Sequence, residues 1–345
     1  MAAAPVDADA LAGWLAGRVD GLAGPLRLTK FAGGQSNPTY RVDSAERTCV
    51  LRCKPGPAAT LLPSAHAIER EYRVMQALQG SAVPLPSTLA LCEDEAVIGR
   101  VFYLMDFVPG RCFDDNSLPG VAPVQRGLLY DEANRVLAAL HALDPAALGL
   151  ADFGKTAGFL PRQIARWTAQ YHASATGRIA AMDALIDWLP AHLPDGLDEA
   201  VPRLLHGDFK LDNLVFHPTE PRVLAVLDWE LATLGPPVVD LAYHCLMWRI
   251  APGLLHGLHG LDLAGLGIPD ETAYLAAYAA RRDMAIGPAW SYCLAYNFFR
   301  LAAIFQGIAS RAAAGRASHA RAGEFGRQAE VMAGAGWAIA REIGA

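Results

Sequence analysis

The residues best able to do chemistry lie in one stretch, LLHGDFKLDNLVFHPTEPRVLAVLDWE, from Leu204 to Glu230. Asp208, Asp212, Asn213 and Asp228 crowd around two short apolar runs in a chain that is 53% hydrophobic. Leu214–Phe216 and Val223–Leu227 are rich in β-formers, and His217–Arg222 between them holds two prolines, a turn signature. Folded as an antiparallel hairpin, the two runs bring Asn213, just before the first, beside Asp228, just after the second. One amide oxygen and one carboxylate make a hard-oxygen site suited to Mg²⁺ that keeps several waters. Asp208, five residues before Asn213 across a loop opened by His206 and Gly207, can face the same spot without being a ligand. An Asp beside such a pair is what phosphoryl transfer needs. The Asp accepts or orients a hydroxyl proton, and the metal neutralises phosphate charge. The competing reading is a turn whose Asp and Asn side chains merely cap local backbone.

The elements that must hold these residues fall into two groups. A short helix is expected over Ala8–Val19. Strands are expected at Leu26–Phe31, Thr39–Asp43, Thr48–Cys53, Ser87–Cys92 and Phe102–Phe107. One helix interrupts them over Ala65–Leu78, with Ser64 as its N-cap. After Pro109–Gly110 the composition turns Ala- and Leu-rich and helical, and only Asn213–Asp228 returns to a β pattern. The pattern predicts an α+β chain: a small β-rich lobe over 1–107, with one helix, and a larger helical lobe over 108–345.

HGDFKLDN followed by LDWE resembles the catalytic loop and metal-binding motif of the aminoglycoside phosphotransferase-like kinases. The resemblance implies the bilobal protein-kinase-like fold, with ATP as phosphoryl donor and Mg²⁺ as cofactor. It implies that Asp208 is the catalytic base and that Asn213 and Asp228 hold the metal. It makes His206 structural and gives Asp240, in VVDLAYH, the duty of bracing the catalytic loop, although Asp240 also reads as a plain N-cap.

In the first lobe, Gly33 and Gly34 of FAGGQSNPTY permit a tight turn that offers backbone N–H groups to phosphate; a hairpin turn uses the same residues. Arg52 and Lys54 of CVLRCKP share one strand face. Glu71 borders the apolar stripe Ile68, Tyr72, Met75 and Leu78 of the expected helix, where a carboxylate is costly unless paired. Arg52 or Lys54 is its natural partner, the kinase arrangement for fixing the α- and β-phosphates. Kinases usually carry Lys where this chain has Arg52, so which cation touches ATP stays open here. FYLMDFVPG resembles a hinge strand, with Tyr103 near the back of an adenine pocket and the backbone of Asp106 to Val108 bonding the base.

Several segments, among them VLRCKP, LLPSAHAIEREYRV and NFFRLAAIFQGIASR, look like the kinase domains related to, or fused with, acyl-CoA dehydrogenases. That resemblance implies a hydroxyacyl-CoA acceptor, of the 4-hydroxyacyl kind. Seven arginines between Arg281 and Arg327, against Asp283 and Glu324, suit phosphates such as those of CoA. Arg300 is the first candidate anchor among them; a solvated helix face is the plainer reading. A kinase for another hydroxylated small molecule (an aminoglycoside, a choline-like alcohol or a sugar) and a non-catalytic nucleotide-binding protein are the alternatives.

The 345 residues carry a formal net charge of −6, which argues against a general nucleic-acid binder. Six scattered cysteines form no CxxC pair and read as reduced thiols. Asp7 and Asp9 stand where an export signal would carry Lys or Arg. The apolar stretch Met284–Phe299 contains Pro288 and Asn297, is short for a membrane span, and reads as a buried helix. A soluble, cytoplasmic protein with no nucleic-acid or membrane partner is expected. The oligomeric state is left open.

Overall fold

The computed structural model describes residues 6–31, 37–55, 67–253, 255–315 and 324–344. They fall into two compact units, Met1–Cys112 with Asp212–Ala232, and Phe113–Leu211 with Thr233–Ala345. In chain order the strands are β1 (Arg27–Lys30), β2 (Thr39–Asp43), β3 (Thr48–Cys53), β4 (Thr88–Cys92), β5 (Phe102–Asp106), β6 (Arg203–Leu205), β7 (Leu214–Phe216), β8 (Val223–Val226) and β9 (Thr233–Gly235). The helices are α1 (Ala8–Leu15), α2 (Ile68–Leu78), α3 (Pro123–Ala142), α4 (Phe159–Ser174), α5 (Ala180–Ala191), α6 (Pro237–Cys245), α7 (Leu263–Leu266), α8 (Glu271–Arg282), α9 (Ala289–Ala313) and α10 (Glu324–Glu342).

The first unit is built on an antiparallel sheet of order β1-β2-β3-β5-β4. Its middle strands are the most apolar: β3 (TCVLRC) and β5 (FYLMD) are buried along nearly their whole length. Leu11 and Leu15 of α1 join Val42, Leu51 and Phe102 in one core. The period of α2 puts Ile68, Val74, Met75 and Leu78 on one buried face, together with Glu71. The hairpin β7–β8 belongs to this unit. Arg111 is bonded both ways to Phe216, with N···O distances of 2.8 Å, so the link after β5 runs along β7. Gly110 is required there, because any β-carbon would collide with the Phe216 carbonyl and the Val215 side chain.

The second unit is helical. The 25-residue α9 is buried over most of its middle and packs against α4, α5, α6 and α10. Beside this bundle, β6 and β9 pair antiparallel, Leu204 opposite Leu234. The apolar stretch ending at Phe299 is therefore the heart of this bundle. Among the described residues no helix is long and apolar enough to cross a membrane.

Some expected bounds shift. Strands β1, β4 and β5 are one or two residues shorter at their ends, and α1 stops at Leu15. Helix α2 begins at Ile68 with Ala67 in the cap position. Ser64, expected as its cap, lies outside the described residues, as do Gly33 and Gly34.

Candidate active site

In the first unit, the sheet, α2, the link and the hairpin line an open cleft of about 410 Å³. Val50, Met75, Met105, Val215 and Leu227 give it apolar walls, and Arg52, Asn213 and Asp228 give it a polar end. Arg52 projects from β3. Its guanidinium meets Glu71 at 2.7 Å, Asp228 at 2.7 Å and Glu230 at 3.3 Å. Glu71 is almost wholly buried, and it also accepts from Tyr103 Oη at 3.1 Å and Asn37 Nδ2 at 2.9 Å. Burial raises the Glu71 pKa, and the Arg52 charge opposes that rise. Burial works against the Arg52 cation too, but the charges around it, Glu71 foremost, outweigh burial and raise its pKa. Lys54 pairs with a different carboxylate, Glu69. The strand and helix pairing left open by the sequence is thus Arg52 with Glu71 and Lys54 with Glu69.

Asn213 and Asp228 are brought together at the open end of the hairpin, where Leu227 N–H donates to the Asn213 carbonyl at 2.8 Å. Asp228 sits in the left-handed region, φ 63° and ψ 64°, which Asp adopts more readily than most residues other than glycine. Among the described residues no group of three or more His, Cys, Asp or Glu side chains is arranged to hold a metal. Asp228 and Asn213 bring one carboxylate and one amide oxygen to this end of the cavity. That sparse, hard set fits Mg²⁺, which keeps most of its water. Three carboxylates around the single Arg52 guanidinium add an acidic balance that a divalent cation would offset.

In the second unit, β6 runs into the turn His206–Gly207–Asp208. Gly207 has φ 82°, a conformation that favours glycine. Asp240, in the first turn of α6, accepts from His206 N–H at 2.7 Å and Gly207 N–H at 2.9 Å, with His141 Nε2 at 3.2 Å. Burial pushes the Asp240 carboxyl up, but the hydrogen bond and charge of His141 and the His206 contacts bring it below the usual range. Asp240 is therefore a buried brace on the turn, more than a helix cap. The Asp208 carboxylate accepts from Tyr243 Oη at 2.5 Å and lies 3.6 Å from Lys210 Nζ.

Two expectations change. Arg300 is only 8% exposed. It donates to the Gly207 carbonyl at 2.6 Å and lies 4.8 Å over the Tyr243 ring and 5.6 Å over Trp167. A guanidinium so engaged braces the turn, and it is not a surface anchor for phosphates. Nor is Arg281 of the Arg-rich segment open to a ligand: it is committed to Asp131 and Asn134, while Arg316 and Arg321 lie outside the described residues. Asp106, expected at the hinge, lines the cavity together with Val108. Its N–H is taken by the Ser87 carbonyl and its carboxylate by Arg47. Asn37, Tyr243, Lys210 and Glu230 were not singled out by the sequence. All four lie inside recognisable motifs: Asn37 in FAGGQSNPTY, Lys210 in HGDFKLDN, Glu230 in LDWE and Tyr243 in VVDLAYH.

Comparison with known proteins agrees with this architecture. A mouse protein, acyl-CoA dehydrogenase family member 10, is 47% identical over 325 residues, covering 93% of this chain and 30% of that protein. Human acyl-CoA dehydrogenase family member 11 is 41% identical over 290 residues, covering 83% of this chain and 36% of that protein. The chain thus spans about a third of the length of these curated relatives. A crystal structure of a Ralstonia eutropha protein classed with the aminoglycoside phosphotransferases is 51% identical, with a TM-score of 0.89, and covers 98% of this chain and 99% of that one. The fold alone is shared with aminoglycoside phosphotransferase APH(4)-Ia in its ternary complex with AMP-PNP and hygromycin B. That match has a TM-score of 0.61 at 18% identity and covers 96% of this chain and 98% of that one. The model of the phosphotransferase enzyme family, APH, matches residues 27–290, and the chain belongs to that family.

Proposed function

We propose that the protein is an ATP-dependent kinase that transfers the γ-phosphoryl group to the hydroxyl of a hydroxyacyl-CoA, with residues 1–107 as the nucleotide lobe and 108–345 as the catalytic lobe. The observation that carries the kinase reading is the cavity with apolar walls and an Arg52–Asp228–Asn213 end. The apolar walls suit a purine, with the Asp106 carbonyl and the Val108 backbone as its hydrogen-bonding edge. Arg52, held by Glu71, offers its fork to the phosphates. Asn213 and Asp228 would hold Mg²⁺, which neutralises phosphate charge when bound. Asp208 takes the proton of the acceptor hydroxyl as that oxygen attacks the γ-phosphorus, and ADP leaves. His206 and Asp240 keep the turn that carries Asp208 in shape.

The acceptor reading is supported by the relatives, whose names join this type of chain to acyl-CoA chemistry. Anionic CoA also suits the exposed Arg311 and Arg327 better than a polycation would. The CoA portion does not react, so its binding energy can orient the hydroxyl. A coupled ADP-release assay tests both levels, with hydroxyacyl-CoAs, the free hydroxy acids and aminoglycosides as acceptors. We expect much higher kcat/KM for the thioesters than for the free acids. Equal turnover of the two sinks the CoA reading, and a preference for aminoglycosides replaces it. No ADP release with any acceptor sinks the kinase reading.

A further inference from the structure

We propose that Tyr243 is a positioning residue for the base: its hydroxyl holds one oxygen of Asp208, Oδ1, so that Oδ2 is presented to the acceptor hydroxyl. This rests on the reading of Asp208 as base.

Tyr243 Oη donates to Asp208 Oδ1 at 2.5 Å, a direct hydrogen bond, whereas Lys210 Nζ, on a partly exposed side chain, lies 3.6 Å from Oδ2. Tyr243 and Asp240 are three residues apart on α6, which puts them on one helix face. That single face therefore grips the turn twice, Asp240 by the His206 and Gly207 amides and Tyr243 by the Asp208 carboxylate. Arg300 closes the clamp from α9, stacked 4.8 Å over the Tyr243 ring and bonded at 2.6 Å to the Gly207 carbonyl. A carboxylate on a short side chain can rotate to offer either oxygen, and a donor fixed on one of them removes that freedom. Burial first, and the Asp208 charge next, push the Tyr243 phenol well above its ordinary value. Tyr243 therefore stays protonated and donates, and does not compete as a base. The acceptor proton goes to Oδ2 and Tyr243 keeps its own.

The test is a double-mutant cycle of Tyr243→Phe and Asp208→Asn in the full chain. Turnover is read with Mg-ATP and 4-hydroxydecanoyl-CoA, and in parallel with water as acceptor by ATP hydrolysis. Tyr243→Phe keeps the ring and its Arg300 contact. It is expected to lower kcat by about 10- to 100-fold, with KM for ATP held within about twofold and an unchanged melting temperature. On the Asp208→Asn background its further effect should be under about twofold, because the partner oxygen is no longer a base. A kcat within about twofold of wild type in Tyr243→Phe, while Asp208→Asn is crippled, overturns the proposal and leaves the base in place. The same fold-loss on both backgrounds also overturns it. If Asp208→Asn itself keeps full turnover, the base reading falls and this proposal with it. Should Tyr243→Phe not fold, Tyr243→His, which keeps a donor, is compared with Tyr243→Leu. The donor variant is expected to be the faster, and equal rates overturn the proposal.

Discussion

The Arg52 guanidinium spans Glu71 and Asp228, each at 2.7 Å, and so ties β3 and α2 to a residue two positions beyond the end of β8. The pair with Glu71 is buried on both sides. Removing one partner strands the other charge in a low-dielectric site. Arg52→Ala is therefore expected to lower unfolding free energy by about 3–5 kcal/mol, measured by urea denaturation. A loss below about 1 kcal/mol, the range of an exposed pair, would falsify the view that this ion pair holds the first unit together.

Asp228 has one oxygen on Arg52 and stands beside Asn213 at the hairpin's open end. Asp228→Ala is expected to abolish most of the Mg²⁺-dependent gain in ATP affinity, followed by calorimetric titration at several Mg²⁺ concentrations. Superimposable titrations for mutant and wild type would remove Asp228 from the metal site.

Asp208→Asn keeps the shape of the side chain and its hydrogen-bonding reach. We expect turnover to fall by on the order of 10²–10⁴ while ATP affinity and melting temperature hold. Near-wild-type kcat in the folded mutant would take the base role away from Asp208.

Gly110 has no room for a side chain against the Phe216 carbonyl. Gly110→Ala should cost about 1–3 kcal/mol, as overpacking against fixed backbone does. An unchanged melting temperature would show that the link moves off β7 without cost.

His244 is buried among Phe209, Trp248 and Tyr274, with Nδ1 3.2 Å from the Phe209 carbonyl and, among the described residues, no hydrogen-bond partner for Nε2. Burial lowers its pKa to about 4. The unfolded chain takes up a proton near pH 6.5 and the native one does not, so the stability that neutral His244 supports is lost as pH falls from about 6.5 toward 4. The effect is roughly 3 kcal/mol at full extent. Melting curves should drop more steeply over that window for wild type than for His244→Gln, and parallel slopes would contradict the assignment.

The sequence by itself determined the parts that depend on local pattern. The alternation in TYRVD and the apolar run TCVLRC specify β2 and β3 to the residue, because side-chain period is a property of neighbours along the chain. The turn between two apolar runs likewise determined that Asn213 and Asp228 meet, since a hairpin joins its own ends. Spacing in HGDFKLDN singled out Asp208 in the same way. Only the tertiary structure decided what pairs across long sequence gaps. Arg52 and Lys54 are equivalent as strand neighbours, and the packing of α2 on the sheet decided that Arg52 takes Glu71 and Lys54 takes Glu69. Arg300 reads as one more cation in an Arg-rich run. The burial of α9 turned it inward onto Gly207 and Tyr243, because a long guanidinium that cannot reach water must find carbonyls and rings instead. Tyr243 carries no signal in VVDLAYH, since a tyrosine on an apolar helix is ordinary. Its bond to Asp208 exists only because α6 folds back against the turn 35 residues earlier.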